Sequence, residues 1–116
     1  MLIPMTVLRE RLYSAVIADA LDGAGLRAQC PAASLPPRTG VRKMMGRCRT
    51  TLWEDIDFED PEPYKLELQA VDDLAPDEIL VCAAGGSLRS GIWGELLATA
   101  ARNRGCAGAL GHGAVR

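Results

Sequence analysis

Apolar positions along the chain fall into short, distinct periodicities. From Thr6, a residue type suited to N-capping, Leu8, Leu12, Ala15, Val16 and Leu21 recur at helical spacing. The DGAG at residues 22–25 then supplies a stop and a turn, so this stretch predicts one helix. In CPAASLPPRTG (residues 30–40), Pro31, Pro36 and Pro37 forbid regular structure. KMMGRCRTTLW (43–53) predicts a strand, with Gly46 as the candidate for a bulge. EDIDFEDPEPY (54–64) is an acidic loop. Pro61 and Pro63 break any ligand periodicity there, which favours a solvated loop over a metal cluster.

The second half is sharper. Leu66, Ala70 and Leu74 share a helical face that ends before Pro76. EILVCAA (78–84) is an unbroken apolar run, the signature of a strand buried on both faces. After GGSLRSG, the stretch IWGELLATAARNRG predicts a helix with Leu96, Ala100 and Ala101 inward and Gly105 at the C-terminal cap. CAGAL (106–110) predicts a second interior strand. Two strands joined through a helix packed on their face run parallel, with a right-handed crossover. The expected fold class is therefore α/β with a partly parallel sheet. The carboxyl ends of both strands and the amino end of the connecting helix then share one edge, where open α/β sheets bind ligands.

Composition adds mainly exclusions. At 116 residues, with 48% hydrophobic and 24% charged residues, the chain is expected to form a single domain, residues 1–116. A net charge of −2 without a basic stripe argues against nucleic acid. Two Trp, two Tyr and one Phe provide no set of stacking platforms for single strands. No run approaches the ~20 apolar residues of a membrane span. The four cysteines include no close pair, so they are expected to act as small hydrophobes in a reduced, cytoplasmic protein.

Glycine-bearing turns converge on the ligand edge: Gly85 and Gly86, Gly91 and Gly94, and Gly111 and Gly113 around His112. A helix amino end offers unsatisfied N–H groups and a partial positive charge, which suits a carboxylate or phosphate. Arg116 could add a bidentate fork to the same anion; the bland alternative is tight turns and a solvated arginine. Glu95, in the helix's first turn, either complements the macrodipole or takes part in proton transfer or metal–water contacts. Trp93 is expected as a core anchor, and His112 as a loop residue rather than a ligand. The GxxGxG in GALGHG is a faint nucleotide-loop pattern with no helix after it.

Residues 91–116, GIWGELLATAARNRGCAGALGHGAVR, resemble the core signature of the RraA-like proteins, which include the 4-hydroxy-4-methyl-2-oxoglutarate (HMG/CHA) aldolases. IADALDGAGL (17–26), MMGRCRTT (44–51) and APDEILVCAAGG (75–86) resemble the family's D-A-L-D, V-G-x-A-x-T and P-G-D-V-L-V segments in the family's order. The resemblance implies an α/β/α sandwich of the swivelling type, assembled as trimers or hexamers with sites between subunits. It implies a lyase: a divalent-metal-dependent pyruvate aldolase with oxaloacetate decarboxylase activity, using Mg²⁺ or Mn²⁺.

Carried onto this chain, the resemblance implies that backbone amides of Gly94, Glu95, Leu96 and Leu97 hold the carboxylate of a small 2-oxo acid. Arg116 would contact the substrate and its developing oxyanion, and Glu95 would orient metal-bound water. The family's direct metal ligand is the aspartate after that arginine, and the sequence ends at Arg116, so no metal ligand is assigned here. His112 stands where family members commonly carry Asp. The expectation is the amino-terminal part of an RraA-like domain, impaired or inactive as it stands. The alternative from another class is a non-catalytic regulator that binds ribonuclease E. A third is a chain that only self-associates through an unpaired sheet edge.

Overall fold

The computed structural model describes residues 2–32 and 34–116; Met1 and Ala33 lie outside the described residues. The chain divides into two compact units, residues 1–45 and 46–116.

The first unit carries α1 (Met5–Arg11) and α2 (Ser14–Gly23) where the sequence pattern predicts one helix. Leu12 and Tyr13 between them are extended, with φ/ψ of −105°/151° and −144°/165°. Neither helix buries a residue, so no packed face rewards a continuous rod through this point. Pro4, not Thr6, is the N-cap residue: its carbonyl accepts from the N–H groups of Val7 and Leu8. The expected stop after α2 is present. Gly25 adopts φ +80°, and Leu26 N–H donates to Leu21 O at 2.8 Å, closing a Schellman motif. No helix or strand forms among the described residues of 30–40.

The second unit is built on a parallel sheet in the order β1–β2–β4: β1 (Arg47–Leu52), β2 (Glu78–Ala83) and β4 (Gly108–His112). β2 is the middle strand. Leu80 and Cys82 are each 1% exposed and pack with Val71, Leu74, Ile92 and Ala101 into the core. α3 (Lys65–Asp72) and α4 (Glu95–Asn103) touch each other, and α4 packs on β4. Arg104, just past α4, binds the Asp72 carboxylate at the end of α3. Gly105 caps α4 as expected, with Gly105 N–H on Arg102 O and Cys106 N–H on Ala101 O. This is a mixed α/β fold, and every described strand pair is parallel.

Three local expectations need correction. Leu66 is 77% exposed and Leu96 is 81% exposed; the inward faces use Val71 and Leu74 near the end of α3, and Leu97, Ala100 and Ala101 of α4. Both helices are short, and the turns nearest the sheet set which face is buried. Gly46 forms no bulge, since β1 pairs with β2 in unbroken register from Arg47↔Glu78 to Leu52↔Ala83. Its role is steric: a Cβ there would sit 2.4 Å from Asp77 O. Finally, Gly91–Trp93 is a strand, β3, rather than the start of the helix; it pairs in parallel with β5 (Ala114–Val115).

Candidate functional site

Leu52, Ala83 and His112 end their strands in register, which defines the carboxyl edge of the main sheet. Beyond it the backbone turns at Gly85 (φ +61°) and Gly86 (φ +78°), conformations that glycine adopts without a Cβ penalty. Gly86 N–H donates to His112 O at 2.9 Å, and Ala114 N–H to Ser87 O at 3.1 Å. Those bonds tie the loop after β2 to the turn after β4. Gly113 is enclosed there: a Cβ would lie 3.1 Å from both Ala84 Cβ and Ile92 Cδ1.

The β3–β5 pair carries Arg116 to the amino end of α4. Arg116 N–H donates to Trp93 O at 2.9 Å, extending the small ladder by one residue. A Cβ built on Gly94 would stand 3.3 Å from Arg116 Cγ and 3.7 Å from its Nε; one built on Gly91 would stand 3.5 Å from Cδ. Two glycines thus make room for one arginine side chain. Gly94 is also the N-cap of α4, and no side chain caps that helix end. The result is a guanidinium stem lying against an uncapped, positively polarised helix terminus, an arrangement suited to a carboxylate or phosphate.

Among the expected site residues, Gly94 and Arg116 are brought together. Glu95 opens α4 and is exposed, Leu96 is exposed, and Leu97 is half-buried against the core. Trp93 is half-buried and packs on the core, as anticipated. His112 ends β4, and its ring lies over Gly86, with Nε2 3.3 Å from the position of a Cβ there. Among the described residues, no three His, Cys, Asp or Glu side chains form a group that could hold a metal ion. The described residues therefore do not form a ligand set for the divalent metal that the resemblance implies.

The cysteines form no disulfide: Cys30 and Cys48 are exposed, Cys106 is half-buried and Cys82 is buried. Burial pushes the Cys82 thiol up, against smaller opposing contributions from Thr51 and Trp53. The acidic loop after β1 is largely exposed, as expected, yet Asp55 accepts from Ser87 Oγ at 2.9 and 2.8 Å and faces Arg89 at 3.9 Å. That cluster lies on a groove of about 270 Å³ bordered by Trp53, Tyr64, Glu67 and Gly91, which has no signal in the local sequence.

A parallel sheet with α3 and α4 packed beside it places this protein in the α/β class. The family model described as RraA-like, Aldolase/RraA, matches residues 14–116, and the chain belongs to the RraA-like family. That family includes both aldolase-type enzymes and RraA regulators. The chain is similar to the structure of the RNA-processing inhibitor RraA from Thermus thermophilis, at 26% identity and a TM-score of 0.63, over 91% of this chain and 58% of that one. It is also similar to a crystal structure of novel cellulases from microbes associated with the gut ecosystem, at 19% identity and a TM-score of 0.74, over 98% and 52%. The second likeness shows the fold alone. The chain spans little more than half the length of both proteins. No curated protein matches the chain. Among the described residues, no helix is long and apolar enough to cross a membrane.

Proposed function

We propose that this chain carries the substrate-binding part of a pyruvate aldolase of the RraA-like family, cleaving 4-hydroxy-4-methyl-2-oxoglutarate and decarboxylating oxaloacetate. The observation that supports this most is the Arg116 stem packed between Gly91 and Gly94 at the uncapped end of α4. In this reading the N–H groups of Glu95, Leu96 and Leu97 receive the carboxylate of a small 2-oxo acid. Arg116 orients the substrate and offsets the negative charge that develops on its keto oxygen. In the same reading Glu95, which is exposed at the start of α4, holds a water or relays a proton at the reacting carbon. The family's divalent metal, Mg²⁺ or Mn²⁺, would supply Lewis-acid polarisation when bound. The described residues form no ligand set for it, and the chain by itself is proposed to be weak or inactive. The proposed setting is a cytoplasmic homo-oligomer, a trimer or hexamer, of a single RraA-like domain.

The test is pyruvate release from oxaloacetate with Mg²⁺ or Mn²⁺, measured on this chain and on one continued with an RraA-like carboxyl-terminal segment. Activity in the longer chain that falls about 100-fold or more in its Arg116→Gln variant is expected, in the range seen for removing one oxyanion-stabilising donor. An Arg116→Gln variant as active as the parent would remove the assignment. A second reading rests on the likeness to the RNA-processing inhibitor: a regulator that binds ribonuclease E. Tight nuclease capture without any binding of pyruvate would put that reading first.

A further inference from the structure

Within the second unit, the loops after β1 and β2 and the start of α3 border the groove of about 270 Å³. That volume lies just below the usual range of ligand pockets, about 300–1,000 Å³. Its charged lining is mostly anionic: Glu54, Asp55 and Glu67 against Arg89. Arg89 and Ser87 already engage Asp55, so that carboxylate is answered from within the protein. Three other cations of the second unit pair with carboxylates other than Glu67. Lys65 pairs with Glu62, Arg49 with Glu78 and Arg104 with Asp72. No described hydrogen bond or ion pair reaches Glu67, whose carboxyl is partly buried and pushed up by that burial.

Two aromatic residues border the same space. The Trp53 indole N–H is taken by Thr51 Oγ1 at 2.8 Å, so its ring offers the groove only apolar and π surface. Tyr64 is the N-cap of α3 and holds φ +71°, a left-handed conformation that is costly for a large side chain. An anionic ligand would meet repulsion here, and a neutral one would leave Glu67 uncompensated. An inorganic cation lacks a ligand set among the described residues. What remains is a cation with an organic body, which a carboxylate and aromatic walls hold together.

We propose that this groove binds a small organic cation of the quaternary-ammonium alcohol class, with Glu67 as its counter-ion and Trp53 and Tyr64 as its aromatic walls. The inference does not depend on the 2-oxo acid reading. The groove borders Gly91 but uses neither Arg116 nor the amino end of α4.

Calorimetric titration of the intact chain with choline and with its uncharged carbon isostere, dimethylbutanol, tests it. Choline should bind at least about tenfold more tightly than the isostere, the size of one cation–π and carboxylate contact. Its affinity should rise as pH increases through the Glu67 titration, because the bound cation favours the ionised carboxyl. Glu54, Asp55, Arg89 and Tyr64 also face the groove, and Cys82 feels the Glu67 charge, so Glu67→Gln identifies the group responsible. That variant should melt like the parent, lose the preference for choline and lose the pH dependence. Tyr64→Leu, at an exposed position, should weaken choline severalfold while leaving dimethylbutanol unchanged. Equal affinity for the two probes, no binding of choline, or an unaltered preference in Glu67→Gln would each overturn the proposal.

Discussion

At the scale of single residues, the proposed site centres on Gly94 and Arg116, whose side chain lies against that glycine. The backbone of Gly94 is extended, φ −158° and ψ −173°, so glycine is not required there for conformational reasons. Its contribution is space: a Cβ would press on Arg116 Cγ at 3.3 Å. Gly94→Ala should therefore leave the melting temperature nearly unchanged while displacing the arginine. Pyruvate affinity should fall about tenfold, the worth of a charge-assisted hydrogen bond weakened rather than removed. Isothermal titration beside a thermal melt separates the two effects, and a loss of stability with no loss of affinity would assign Gly94 a purely structural part. The sequence made Arg116 and the helix end legible because glycine spacing and strand–helix–strand order place them on one edge. It could not reveal that Gly91 and Gly94 flank the arginine, since that contact depends on the two-residue strand β5.

Among the elements, β2 was the most legible and β3 the least. An unbroken apolar run such as EILVCA has one good solution, a strand paired on both sides, and β2 adopts it. Three residues of β3 and two of β5 are too short to show a period, and their pairing comes from the turn after β4. The inner faces of α3 and α4 were misjudged for a related reason. Leu66 and Leu96 fit a helical stripe, but in helices of two turns the packed turn decides which residues are buried.

The β1–β2 seam offers two tests. Gly46→Ala must move the Asp77 carbonyl away from a 2.4 Å clash and should cost about 1–3 kcal/mol in denaturant unfolding. An unchanged midpoint would mean that the strand entry yields freely. Glu78 accepts from Ala75 N–H and from the Arg49 guanidinium, and these hold its carboxyl below the ordinary carboxylate range. A depressed folded pKa stabilises the protein above the unfolded value, and that stability is lost as pH falls through the folded one. Glu78→Gln should thus be less stable than the parent near neutrality, and the gap should close in acid. Denaturation across a pH series checks the sign.

For the molecule as a whole, the α/β class, the parallel sheet and the family were accessible because four segments that resemble the family's lie along the chain in the family's order and the strand–helix–strand pattern is local. The groove beside α3 was not, because it is assembled from residues 53–56, the start of α3 and residues 84–92, which include the start of β3 and share no common periodicity. The break between α1 and α2 escaped the helical pattern because spacing records a possible face and not whether anything packs on it.

The most direct test of the proposed anion site is titration of the intact chain and its Arg116→Gln variant with pyruvate, in the presence of Mg²⁺. Binding by the parent that weakens about ten- to a hundredfold in the variant, at equal thermal stability, is the predicted result for a carboxylate held by that guanidinium. Pyruvate binding of equal strength in both chains would contradict it.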